Sequence, residues 1–151
     1  MIIIKHRVNS IHSLREVSPN YGVEVDVQFQ NNKVYTGHNA GETEYPLRDY
    51  LEHFKHEFLA VNVKQEGIEM EIYSLLESFK IHKFFLFDLS FPRAMTLLKL
   101  GKTGIALRIS DFEDIRNFET VASGVKWLWV DCFESAEFMN HSKILRLKDI
   151  Q

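Results

Sequence analysis

Six short apolar runs along this chain each end in polar or charged residues that share one side-chain phase. Residues 2–5 lead into His6 and Arg7, and residues 23–27 alternate valine with Glu24 and Asp26. Residues 59–64 carry Asn62 and Lys64, and residues 84–90 carry Asp88 and Ser90. Residues 105–110 carry Arg108 and Ser110, and residues 127–131 end on Trp129 and Asp131. In an extended strand, residues i and i+2 point to the same side, so each run offers a polar pair near its C-terminal end. Parallel α/β barrels and sheets build their sites at that end. The pattern therefore predicts an enzyme-like cup.

Helical periodicity fills the spaces between the runs. Ile68, Ile72, Leu75, Leu76 and Phe79 form one apolar stripe. Pro46 can open a helix carrying Leu47, Leu51 and Phe54. Pro92 can open another, carrying Met95, Leu98 and Leu100 and stopped near Gly101. Ser110 followed by Glu113 is a capping-box pattern, with Gly124 as a stop. Strands alternating with helices across short joints predict an α/β fold with a parallel sheet of βαβ units. The exception follows Asp26, where residues 27–30, Asn31 and Asn32, and residues 33–38 read as a hairpin returning His38 towards Glu24 and Asp26. About six βα units can be counted, where a closed barrel needs about eight. A TIM-type (β/α) barrel would thus be incomplete, or its open edge covered by a partner copy or other sequence. Residues 143–150 could add one more strand or helix.

Composition narrows the setting. At 151 residues the chain is most simply one domain. Its 45% hydrophobic and 26% charged residues are those of an ordinary globular protein. A net charge of -3 gives no reason to expect nucleic acid or an anionic membrane as partner. The single Cys132 excludes an internal disulfide and suits a reducing compartment. Residues 1–4 are too short an apolar stretch for a signal peptide or a membrane span. A cytoplasmic location is expected.

Taken as one cup, the strand ends hold four acids (Glu24, Asp26, Asp88 and Asp131), the cations Lys64 and Arg108, and two histidines, His6 and His38. Buried negative charge in excess calls for a metal or a proton. Oxygen donors suit Mg²⁺ or Ca²⁺ better than zinc. Lys64, Arg7 and Arg108 suit an anionic substrate group, with arginine capable of a bidentate phosphate contact. Histidine changes charge near neutrality, so two beside a phosphate suit general acid–base work. Ser90 and Ser110 read more naturally as helix caps than as nucleophiles. Trp127 and Trp129 read as packing, although Trp129 shares the phase of Asp131 and could line the cup. His12, His53, His56, His82 and His141 read as surface residues. No Gly-rich phosphate loop is present, and Ser90 stands where an aspartyl-phosphate phosphatase would need its second acid.

His6 and Arg7, then residues 22–27, then Gly37, His38 and Asn39, then residues 61–64 resemble the ordered motifs of the glycerophosphodiester phosphodiesterases. These belong to the phospholipase C-like phosphodiesterase superfamily of TIM barrels. The likeness covers residues 1 to 64 and implies a (β/α) barrel and metal-assisted phosphodiester cleavage. It further implies His6 and His38 as acid–base histidines, Arg7 and Lys64 as phosphate contacts, and Glu24 and Asp26 as metal ligands. Departures accompany it. Val8 replaces the glycine of the family's His-Arg-Gly, no glutamate precedes Asn9 and Ser10, Asn39 replaces an aspartate, and Asn62 replaces a glutamate ligand. Asn62 keeps a carbonyl oxygen for the metal, and Asp88 or Asp131 could compensate. Two expectations follow. One is a hydrolase of small glycerol- or polyol-phosphodiesters; the other is a non-catalytic barrel that binds a phosphorylated sugar or polyol.

Overall fold

The computed structural model describes residues 1–112 and 125–135. The chain divides into two compact units, Met1–Leu89 and Ser90–Gln151.

The first unit runs β1 (Ile4–Lys5), α1 (Ile11–Glu16), β2 (Gly22–Gln30), β3 (Lys33–Thr36), α2 (Leu47–Glu52), β4 (Phe58–Val63), α3 (Glu69–Ser78) and β5 (Phe84–Phe87). Four strands lie parallel in the order β1-β2-β4-β5, and β3 pairs antiparallel with the far end of β2. Register follows from side-chain phase. Val23, Val25 and Val27 of β2, Leu59, Val61 and Val63 of β4, and Leu86 of β5 join one hydrophobic core with Leu14, Leu47, Leu51, Ile72 and Leu76. A slip of one residue would put Glu24, Asp26 and Asn62 into that apolar layer. The opposite face therefore carries Glu24, Asp26 and Asn62, with Asp26 directly beside Asn62.

Local chemistry explains the joints. Ser10 and Ser13 form a reciprocal capping box that starts α1, a helix too short to show an apolar stripe. Asn31 and Asn32 have φ of 48° and 62°, the double positive pair that a tight hairpin turn requires. The expected hairpin after Asp26 is thus present. Ahead of α3, both carboxylate oxygens of buried Glu69 accept the Gly67 N–H, at 3.0 and 3.1 Å. The helix expected from the stripe at 68–79 spans Glu69–Ser78.

The second unit contains α4 (Phe91–Lys99) and a parallel pair, β6 (Ala106–Ile109) with β7 (Trp127–Val130). The Ser90 hydroxyl accepts the Arg93 N–H at 3.4 Å, so this serine is the expected cap. The buried face differs from expectation: α4 buries Ala94 and Leu97, whereas Leu100 is exposed. Met95 and Leu98 are half-buried, so they flank the buried face and do not form its centre. Ser110 accepts the Phe112 N–H at 3.2 Å. The helix expected from Ser110 to Gly124 and the element expected at 143–150 lie outside the described residues.

The fold is α/β with a mainly parallel five-stranded sheet. Among the described residues that sheet ends at β1 and β5, and no strand closes it into a barrel. No described helix is long and apolar enough to cross a membrane.

Candidate functional site at the strand ends of the first unit

The site grows from the polar phase of β2. Glu24 and Asp26 are buried, at 0% and 1% exposure, on the face away from the apolar core. Each carries a histidine. His6 Nε2 lies 3.5 Å from Glu24 Oε2, and His38 Nδ1 lies 3.1 Å from Asp26 Oδ2. Lys64 Nζ lies 3.1 Å from Asp26 Oδ1 and 3.6 Å from Asp88 Oδ2. The contacts of His38 and Lys64 with Asp26 are at hydrogen-bond distance without hydrogen-bond alignment. Such groups commonly tighten when substrate arrives. Six residues on or just after the five strands of the sheet thus meet in one place: His6, Glu24, Asp26, His38, Lys64 and Asp88.

Two of the strand ends adopt left-handed backbone. Arg7, just after β1, has φ of 54°, and Asp88, just after β5, has φ of 66°. Aspartate tolerates this region and arginine much less, at a cost of about 1–3 kcal/mol. At Arg7 the strained turn aims the backbone N–H at Glu24 Oε2, 2.6 Å away. The guanidinium is exposed, so the main chain of Arg7, and not its charge, binds the glutamate.

The two carboxylates have opposite electrostatics. Burial pushes Glu24 above the usual carboxylate range, aided by the charge of Asp26 and opposed by the Arg7 N–H, His6 and Asn62. Asp26 is also penalised by burial, but contacts from Asn9, His38 and Lys64 outweigh it and hold the group below that range. One strand therefore presents a carboxyl that favours its proton and another that favours its charge. Environments that separate like groups in this way mark acid–base sites.

Three participants were not assigned to the site from the sequence, where Asn9 entered only through the family resemblance. Asn9 clasps Asp26 twice: its amide donates to Oδ2 at 2.9 Å, and its carbonyl accepts the Asp26 N–H at 2.8 Å. Tyr50, fully buried, donates its hydroxyl to Val8 O at 2.8 Å and so braces the turn that carries Arg7. Gln28, next in phase after Asp26, donates to Asn39 O and Glu42 O at 2.8 and 3.0 Å and accepts the Gly41 N–H at 3.1 Å. That one side chain holds the loop behind His38. The phase of 24, 26 and 28 was the available signal for Gln28; nothing in the sequence pairs Asn9 with Asp26.

Gln28→Leu is expected to release this loop while leaving the valine core intact. Losing three hydrogen bonds to a half-buried loop should lower stability by about 1–3 kcal/mol. Limited proteolysis at residues 37–43 should accelerate in step; an unchanged cleavage rate would remove Gln28 from this role.

The donor set can be tested for a cation. Among the described residues, no group of three or more His, Cys, Asp or Glu side chains is placed to hold a metal ion. The cup does contain three buried oxygens with no hydrogen-bond partner, Glu24 Oε1, Asn62 Oδ1 and Asp26 Oδ1, the last of them 3.1 Å from Lys64 Nζ. Such oxygens fit Mg²⁺ or Ca²⁺, and Mg²⁺ commonly binds one or two carboxylates and completes its shell with water and phosphate. Asp26 faces Lys64 instead. The fit thus rests on Glu24 and Asn62.

The remaining expected residues belong to the second unit. Arg108 on β6 is exposed and stands in register with Trp129 on β7. The Trp129 indole N–H donates to Asp131 Oδ1 at 2.9 Å. Cys132 is a free, exposed thiol. No protein-family model, curated protein or solved structure matches this chain.

Proposed function

We propose that the strand ends of the first unit form a phosphodiester-cleaving site, and that β1, β2, β4 and β5 are consecutive strands of a (β/α) barrel. The observation that supports this best is the pairing of two histidines with two carboxylates of opposite proton preference, beside a lysine. Hydrolysis of a diester needs one group to take a proton from the attacking oxygen and another to protonate the leaving alkoxide. With Nδ1 against Asp26, His38 keeps Nε2 for substrate, and His6 faces Glu24 through Nε2. Both carboxyl groups orient the rings, and Asp26, which favours its charge, stabilises the protonated form of His38. Lys64 and Arg7 supply positive charge for the phosphoryl oxygens. A divalent cation on Glu24 Oε1 and Asn62 Oδ1 would add charge neutralisation at the phosphate.

One observation favours a second reading. Asp26 is engaged by Lys64 and His38, which leaves a smaller acidic surplus than hydrolases with a full carboxylate cage carry. On that reading the cup binds a phosphorylated sugar or polyol without cleaving it. Turnover separates the two. The whole chain with Mg²⁺ or Ca²⁺ should release p-nitrophenol from bis-p-nitrophenyl phosphate and hydrolyse glycerophosphodiesters, and His38→Ala should lower that rate roughly 10²-fold. Thermal stabilisation by a polyol phosphate without turnover would instead establish the binding protein.

A further inference from the structure

We propose that the first unit carries a second anion site, at the opposite end of its sheet, that holds the phosphate group of a small soluble molecule. The loop from α1 into β2 and the loop from α2 into β4 enclose a cavity of about 200 Å³. Its apolar lining is Leu14, Val17 and Pro19; its polar lining is Arg15, His53, Lys55 and His56. These loops lie at the N-terminal ends of β2 and β4, whereas the histidine–carboxylate cup lies at the C-terminal ends. The proposal is therefore independent of the phosphodiesterase reading.

Charge carries the inference. Every polar side chain that lines the cavity is basic, in a chain of net charge -3. Arg15 Nη2 lies 3.4 Å from both ring nitrogens of His53, a contact in which the guanidinium donates to the imidazole and is held at the cavity. Neighbouring acids are engaged elsewhere: Glu16 lies 3.5 Å from His12, and Glu57 lies 3.8 Å from Lys83. Glu52, next to His53, is not part of the lining. Among the described residues, no carboxylate lies in ion-pair contact with Arg15 or Lys55. Bringing cations together without a counter-charge is unfavourable, and a bound anion reverses the sign of that term.

A second observation points the same way. His56 Nε2 lies 3.0 Å from Val17 O, which fixes that nitrogen as the donor. His56 Nδ1 is then a buried nitrogen with no hydrogen-bond partner. As an acceptor, it can take the O–H of a hydrogen phosphate. The frame is already built, since the Glu57 N–H donates to Pro19 O at 2.9 Å and to Tyr21 O at 3.2 Å, tying the two loops together. The Phe54 ring, 5.6 Å from His56, restrains the imidazole.

The class of ligand follows from the donors. The arginine fork and the lysine offer more N–H groups than a carboxylate's two oxygens can accept, whereas a phosphate has three or four oxygens. The volume admits a phosphate head and leaves any organic remainder in solvent. Inorganic phosphate and a small phosphomonoester share this chemistry.

The test uses the whole chain with His6→Ala and His38→Ala, to disable the first cup. Inorganic phosphate is titrated while the His53 and His56 imidazole resonances are followed, and glycerol 3-phosphate is titrated in parallel. Both signals should move saturably, and the double variant R15Q/K55Q should weaken binding at least tenfold. Those two side chains are exposed, so the variant should fold. Tighter binding of glycerol 3-phosphate would assign a phosphomonoester, and equal binding would assign phosphate itself. Resonances that do not move, or an affinity unchanged in R15Q/K55Q, would overturn the site.

Discussion

Asp26→Ala is expected to destabilise the protein by about 3–5 kcal/mol, the usual result of removing one partner from a buried charged network. Asp26 is the hub of the cup: Asn9 binds it through two hydrogen bonds, and His38 and Lys64 both lie 3.1 Å from its oxygens. Its removal strands the Asn9 amide and leaves the Lys64 side chain, only 24% exposed, facing the Asp88 carboxylate at 3.6 Å. Urea denaturation checks the size, read as a lower midpoint at constant slope. A loss below about 1 kcal/mol would show that the network is solvated in solution, where such pairs contribute little. The double variant Asp26→Leu with Lys64→Met should recover part of the loss, because it removes both charges together. Turnover should not return with it, since His38 loses the carboxylate that orients its ring.

Acid should act on the same residue. Asp26 is held below the usual carboxylate range, so as pH falls the unfolded chain takes up the proton first. Stability is therefore fully present above the ordinary aspartate value and lost as pH drops through the folded one.

Side-chain phase explains how much of this was legible. Alternation of valine with Glu24 and Asp26 identified β2 and its polar face, because a strand with one apolar face has only one workable register. The same logic found β4 with Asn62 and β5 just before Asp88. The pairing of Asn31 and Asn32 revealed the hairpin that returns His38, since few residues other than glycine accept positive φ. What stayed hidden depends on contacts between distant segments. Asn9 reaches Asp26 across 17 residues, and the Arg7 turn depends on a Tyr50 hydroxyl 42 residues from its acceptor. Local periodicity carries no trace of either. The helix α1 was missed because six residues complete fewer than two turns, too few for a stripe to rise above chance. Left-handed Arg7 and Asp88 could not be read either, as neither residue type announces that conformation.

Glu24→Gln should give the opposite stability result from Asp26→Ala, although the two residues are neighbours on one face of β2. Burial raises the Glu24 pKa, so the folded state keeps its proton to higher pH than the unfolded chain does. The sign then follows: stability is greatest below the ordinary glutamate value and declines as pH rises towards the raised folded value. Glutamine cannot ionise, so the variant should lose this decline. Its carbonyl can still accept the Arg7 N–H, and its new amide can donate to Asn62 Oδ1, now an acceptor without a partner. A gain of about 1 kcal/mol at neutral pH is expected, or roughly 2–4 °C in Tm at this chain length. Turnover should fall roughly 10²–10³-fold, because glutamine can neither exchange a proton with His6 nor offer a cation a carboxylate. Melting curves from acidic to neutral pH, recorded beside wild type, decide the matter. A variant less stable than wild type at neutral pH would mean that Glu24 is held charged by groups stronger than its burial, and the contrast between the two carboxylates on which the acid–base assignment rests would be lost.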